Sequence, residues 1–174
     1  IGFLWTWIFN GQYGILNAAL SAVGLRPLRW INDTSTAHMS IVIVTIWRTL
    51  GYCVVVYLGA IQNISEEIIE AAHIDGANAW QTTWKITMPL VSPTTFMLLI
   101  LQTISIMKLF TTIENMTGGG PGNATANLPM MLYDYAFSRY QMGYASAIAM
   151  VLFALILLIN LIQMSLERFV SYDA

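Results

Sequence analysis

The chain has 174 residues, of which 57% are hydrophobic and 9% charged, with a formal net charge of −2. An average soluble domain carries about 25% charged residues. With a mean hydropathy of +0.64, this composition exceeds what a soluble core needs and suits a bilayer, and the lack of a basic patch excludes nucleic acid as a partner.

In chain order, Ile1 to Phe9 is too short to cross a bilayer, which takes roughly 20 apolar residues per helix. Trp5, Trp7 and Phe9 read as an aromatic belt closing a span (residues 1–9) whose first part is missing. No charged signal-peptide region opens the chain. Residues 10–38 contain Gly11, Gly14, Gly24 and Pro27 and read as a loop with a short amphipathic turn. The first full span is 39–61, with one charge, Arg48, and the only cysteine, Cys53, which reads as small apolar filler. Residues 65–87 are polar, helix-prone and interrupted by Gly76. The second span is 90–113, with Lys108 near its far end. Residues 114–143 contain Gly118-Gly119-Gly120-Pro121, which cannot stay helical, and then an aromatic stretch from Tyr133 to Tyr140. The last span, 144–164, has no charge. The expected fold class is all-α: one polytopic membrane domain, 1–174, with about three full transmembrane helices, a partial first one and a helical polar knob.

The knob has its own physical logic. Ser65 is a good N-cap, and Glu66, Glu67 and Glu70 favour the positive end of the helix dipole. Gly76 ends or bends that helix, and Trp80 and Trp84, four apart, make an apolar face on a second short helix. Within the first full span, Thr45, Arg48, Thr49 and Tyr52 fall at i, i+3, i+4 and i+7, on one helix face. A charge at mid-bilayer is costly and faces protein or a watery cavity. Gln102, Ser105 and Thr112 repeat the pattern in the second span, so the two stripes suggest one hydrophilic pocket. Bonding to their own helix carbonyls accounts for Thr45 and Ser105 equally well. For Arg48, Tyr52 and Gln102 the pocket is the favoured reading. Apolar Val44, Val55 and Leu98 are expected to face outward. Asn160, Gln163 and Glu167 continue a polar face beyond the last span and read as packing residues. His38 and His73 stand apart from any cluster at ligand spacing, so no metal is expected.

Glu-Ala-Ala at 70–72, Gly76 four residues on, nine further residues, then Ile86 and Pro89 is a spacing that resembles the EAA loop of inner-membrane permeases of binding-protein-dependent ABC importers. Phe9-Asn10-Gly11-Gln12-Tyr13-Gly14 resembles the outer loop after the third span of six-span sugar permeases. Thr117-Gly118-Gly119-Gly120-Pro121 resembles the outer-loop signature of the MalF-like or UgpA-like half of carbohydrate importers. Gly143-Tyr144-Ala145-Ser146-Ala147 resembles the start of their last span. Ser65 stands where the family usually has proline, and Met88 where leucine commonly precedes Pro89.

The resemblance implies the permease core of a type I ABC importer, multi-pass in a prokaryotic inner membrane and lacking its N-terminal spans. It makes 65–87 a cytoplasmic coupling loop and 114–143 an outer loop. This orientation runs against the positive-inside rule, since Lys85 and Arg168 fall inside and Arg26, Arg29 and Arg139 outside. Glu70, Ala71, Ala72, Asp75, Gly76, Ala77 and Pro89 become the ATPase-coupling residues. Thr45, Arg48, Thr49, Tyr52, Gln102 and Ser105 become the substrate pathway. The implied partners are a second homologous permease, an ATP-binding cassette ATPase dimer, an extracytoplasmic solute-binding protein, a sugar-like solute and membrane lipid. No cofactor is expected in this chain, ATP and Mg being bound by the ATPase, and the chain has no phosphate-cradling G-x-x-x-x-G-K-[ST]. The aromatics of 133–140 fit binding-protein docking and a membrane-surface belt equally well. Two other functions compete: a membrane-embedded enzyme using Arg48 and a carboxylate, weakened by the lack of Asp or Glu in any span, and a non-transporting scaffold.

Overall fold

The computed structural model describes residues 2–170, with side chains as far as residue 167. The expected cut end at Ile1 and the side chain of Arg168 lie outside the described residues. Ten α-helices and two π-helical turns follow one another there: α1 (Gly2–Ile8), α2 (Ile15–Ala22), α3 (Thr34–Gln62), α4 (Glu66–Ile74), α5 (Ala79–Thr82), a π turn (Thr83–Thr87), α6 (Met88–Leu90), α7 (Ser92–Met107), α8 (Thr111–Met116), α9 (Leu128–Tyr133), a second π turn (Asp134–Ser138) and α10 (Met142–Val170). No strand occurs among the described residues, so the fold is all-α as expected.

The chain divides into two compact units. One comprises the residues up to Arg48 with Ile106–Leu155, the other Thr49–Ser105 with the residues from Ile156 onward. Among the described residues, two helices, α3 and α10, are long and apolar enough to cross a membrane; a bent pair, Ala79–Leu90 with Ser92–Met107, makes a third if counted as one span. On α3, Val42, Ile46, Leu50, Val54 and Leu58 lie four apart and are each 51–59% exposed. Such a stripe would aggregate in water but is the normal lipid-facing surface of a spanning helix.

The first unit is built around two clusters. Phe9, Val44 and Met116 are buried together, with Trp5, Leu16, Trp30 and Ile31 against them. Ile41, Leu109 and Ile113 form the second cluster, joined by Met130. Val44 is therefore inward, which corrects the expectation that it faces out: α1 and α8 of the same chain cover that side of α3. Leu98 is also buried, again against expectation, while Val55 is 69% exposed as expected.

Residues 10–38 are more ordered than a loop with one turn. Asn17, on α2, is buried. Its amide nitrogen donates to the carbonyls of Gly11 (3.0 Å) and Leu28 (2.9 Å). Its Oδ1 accepts from Leu28 N–H (3.0 Å) and from Trp30 Nε1–H (2.9 Å). All four bonds open to an asparagine side chain are thus made within the protein. Gly14 allows the chain to close on itself here, since a Cβ at that position would lie 2.3 Å from the Asn10 carbonyl oxygen. Asp33 Oδ1 accepts from the backbone N–H and the hydroxyl of Ser35, both at 2.9 Å. Those bonds, the backbone one first, hold its carboxyl below the usual range.

The second apolar run departs from the expected single span of 90–113. Helix α7 has 16 residues, about 24 Å at 1.5 Å per residue, short of the ~30 Å hydrocarbon core. At its start the chain bends by 59° at Val91. Pro89 and Pro93 flank the bend, four residues apart, and each lacks the N–H donor of a helical residue. At its end the helix stops at Met107 and α8 begins at Thr111. Asn127 Nδ2 donates to the carbonyl of Leu109 in that gap, while Asn127 Oδ1 caps α9 by accepting from Met130 N–H at 3.1 Å. Thr112 is accordingly not on the same helix as Gln102 and Ser105.

Candidate functional site

The segment 65–90 forms a helix, a left-handed glycine and a second helix. Helix α4 ends with Asp75 at the C-cap position and Gly76 at φ +81°. Gly76 N–H donates to the His73 carbonyl (3.0 Å) and Ala77 N–H to the Ala72 carbonyl (3.0 Å). This pair of bonds is a Schellman motif, which satisfies the last carbonyls of a helix and requires a residue comfortable at positive φ. Ala72 is buried and Ala77 half-buried, occupying the two positions that make the apolar contact accompanying such a turn. The chain restarts at once: Asn78 Oδ1 accepts from Gln81 N–H and Gln81 Oε1 accepts from Asn78 N–H, both at 2.9 Å. This reciprocal capping box puts the N-cap of α5, Asn78, two residues after Gly76.

One expected cap is absent. Ser65 sits at the N-cap of α4 but its hydroxyl makes no capping bond; its backbone carbonyl instead accepts the Ile68 N–H at 3.2 Å. Glu70, Ala71, Asp75 and Gly76 are exposed and Pro89 is half-buried in α6. A shallow notch of about 260 Å³ beside the turn is lined by Asp75, Gly76, Ala77, Gln81, Lys85 and Ile86. Trp80 and Trp84 lie 5.4 Å apart, 72% and 50% exposed, with Ile74 86% exposed. The knob thus presents carboxylates, small residues and unpacked large apolar side chains.

The residues expected to line a pathway come together only in part. Thr45 is buried and its hydroxyl donates to the Ile41 carbonyl at 2.8 Å, the self-bonding alternative. Thr49 Oγ1 lies 3.5 Å from Gln102 Oε1, at the outer limit of a hydrogen bond. Arg48 is half-buried and makes no ion pair among the described residues. Tyr52 and Ser105 are exposed. One helix–helix contact escaped the sequence reading, and a second accords with the packing role read for Gln163. Tyr57 Oη donates to Thr95 Oγ1 at 2.9 Å, tying α3 to α7. Gln163 Nε2 donates to Thr103 Oγ1 at 2.8 Å, tying α10 to α7. Each joins polar residues in otherwise apolar helices, the signal that could have found them.

In 114–143, the Thr117 and Thr125 hydroxyls lie 2.7 Å apart, and Thr125 Oγ1 also donates to the Gly120 carbonyl at 2.9 Å. Arg139 Nε lies 2.7 Å from Asp134 Oδ2, and its guanidinium carbon is 4.6 Å from the centroid of the Tyr135 ring.

Residues 1–172 match the family described as binding-protein-dependent transport system inner membrane component. The chain belongs to this family and is a multi-pass inner-membrane protein with the fold of an ABC importer permease. It is 39% identical over 166 residues to a probable ABC transporter permease protein, YurN, of Bacillus subtilis, covering 94% of this chain and 57% of that one. It is 34% identical to the trehalose/maltose transport system permease protein MalF of Thermococcus litoralis, covering 95% of this chain and 56% of that one. Among solved structures it resembles a bacterial ABC transporter involved in import of the acidic polysaccharide alginate. The TM-score there is 0.86 at 24% identity, over 98% of this chain and 60% of that one. The chain spans a little over half the length of the curated relatives it matches.

Proposed function

We propose that this protein is a permease subunit of an ATP-driven importer of a sugar or sugar derivative, forming half of the translocation pathway. The observation that supports the reading is the α4–Gly76–α5 turn, whose geometry gives Ala72, Gly76 and Ala77 structural roles within the EAA spacing. Family membership and relatives named as sugar permeases support it.

In this reading the knob lies on the cytoplasmic side and seats in an ATP-binding cassette subunit. Glu70, Ala71, Asp75 and the notch beside Gly76 face that partner, and Trp80, Trp84 and Ile74 bury their exposed apolar area there. ATP-driven closure of two ATPases pushes the knob, and the bent connection at Pro89 and Val91 passes the movement to α7. Arg48, Thr49, Tyr52, Gln102 and Ser105 then serve a hydrophilic path completed by a second permease. An extracytoplasmic binding protein delivers solute to the opposite face. The chain catalyses nothing itself: ATP and Mg belong to the ATPase.

The test is purification of the full-length protein from its native membrane. An ATPase subunit should co-purify, and ATP hydrolysis should rise when the cognate binding protein is added. A protein that purifies without any ATPase, or shows catalysis of its own, contradicts the reading.

A further inference from the structure

The segment after α8 encloses a cleft of about 510 Å³ within the first unit, in the size range of small-ligand sites, about 300–1,000 Å³. Glu114, Asp134, Arg139, Tyr133 and Asn123 contribute to its lining, with Met130 among the apolar groups. Two carboxylates oppose one guanidinium. Arg139 and Asp134 are paired at 2.7 Å, which leaves the Glu114 carboxylate, exposed at the cleft, without an ion-pair partner among the described residues.

The aromatic lining is differentiated. The Tyr135 ring stacks on Tyr144 at 5.5 Å and carries Arg139 at 4.6 Å. Tyr133 packs beside both Phe110 and Phe137, each at 5.1 Å, yet at 47% exposed it is the most open ring of the lining. Beside the cleft, the hydroxyls of Thr117 and Thr125 lie 2.7 Å apart, and Thr125 is 4% exposed.

We infer that this cleft is an outer subsite for a neutral glycosyl unit of the transported solute, distinct from the polar stripes of α3 and α7. A pyranose offers an apolar C–H face, which Tyr133 can cover, and a ring of hydroxyl donors, which an acceptor-only carboxylate such as Glu114 can take in pairs. Asn123 and the Arg139–Asp134 pair offer further acceptors and donors at its edge. The surplus of one negative charge repels a uronate or a phosphorylated sugar, and like charges brought together at a binding surface are costly. The inference rests on the importer reading and names its substrate class: uncharged sugar, not acidic sugar.

The experiment uses the full-length protein with its co-purifying subunits in nanodiscs. Saturation-transfer NMR is recorded with a panel of neutral glucose, galactose, mannose and xylose oligomers and with galacturonate and guluronate oligomers. Neutral oligomers should bind and uronates should not. Glu114→Gln, which keeps the shape, should weaken binding about three- to tenfold, the loss of about one hydrogen bond. Tyr133→Phe should retain binding and Tyr133→Ala should lose most of it. Uronates binding as well as neutral sugars, no sugar binding at all, or indifference to Glu114→Gln and Tyr133→Ala would each overturn the assignment. If an ATPase still co-purifies and sugar uptake persists in proteoliposomes, only the subsite fails; if both are absent, the importer reading fails with it.

Discussion

Gly76 has nothing within 4 Å of the position its Cβ would take, so a side chain there meets no obstacle. What it meets is the backbone, at φ +81°, a conformation that costs an L-residue about 1–2 kcal/mol and a β-branched one more. Gly76→Val should therefore distort the Schellman turn and uncouple solute uptake from ATP hydrolysis. Gly76→Asn, which tolerates left-handed backbone, should keep most of both. Uptake and binding-protein-stimulated hydrolysis that are both normal in Gly76→Val would remove this account of the turn. Asn17 makes the complementary case. Its replacement by Ala strands two carbonyls and two N–H donors, and each group left buried and unpaired costs about 1–3 kcal/mol. A lower thermal midpoint and faster proteolysis within residues 10–32 should follow; an unchanged midpoint would show that water replaces the side chain without loss.

Among the elements, α4 and α5 were legible because their signals are local: acids at the start, glycine at the end, an apolar pair four apart. Helix α7 was not. Nothing in the apolar run 90–113 marks a break at Leu109, because the group that satisfies the Leu109 carbonyl is Asn127, well beyond that run. The two prolines at the other end were visible, but their 59° bend needed coordinates. The α3–α7 bond from Tyr57 to Thr95 should hold the start of α7 against α3. Interhelical hydrogen bonds in membranes average about 0.6 kcal/mol. A double-mutant cycle of Tyr57→Phe and Thr95→Val, read by thermal unfolding in detergent, should return a coupling energy of about that size. Strictly additive effects would show that the bond contributes nothing to the packing.

At the scale of the molecule, the all-α membrane class followed from composition, and the family from a few spaced residues. The inward and outward faces of α3 were harder. Val44 and Thr45 are both buried, because a polar stripe marks one protected face but not the second face that α1 and α8 of the same chain cover. Thr49 and Gln102 meet while Tyr52 and Ser105 stand exposed; in the proposed importer a second permease would complete the path. In the assembled importer, Tyr52→Ala and Gln102→Ala should each weaken solute affinity roughly threefold to a hundredfold, the range for one lost hydrogen bond to a neutral or charged group. Affinities unchanged in both variants would place the path elsewhere.

The central claim is that the turn at Gly76 is where an ATPase engages this chain. A photo-crosslinking amino acid placed at Ala71 in the full-length protein, in native membranes, tests it directly, with the same amino acid at Asn123 in the proposed outer loop as the comparison. The account predicts that illumination joins position 71 to an ATP-binding cassette subunit, in a yield that changes when ATP is trapped, while position 123 captures none. An ATPase captured from position 123, or no ATPase captured from position 71, would contradict it.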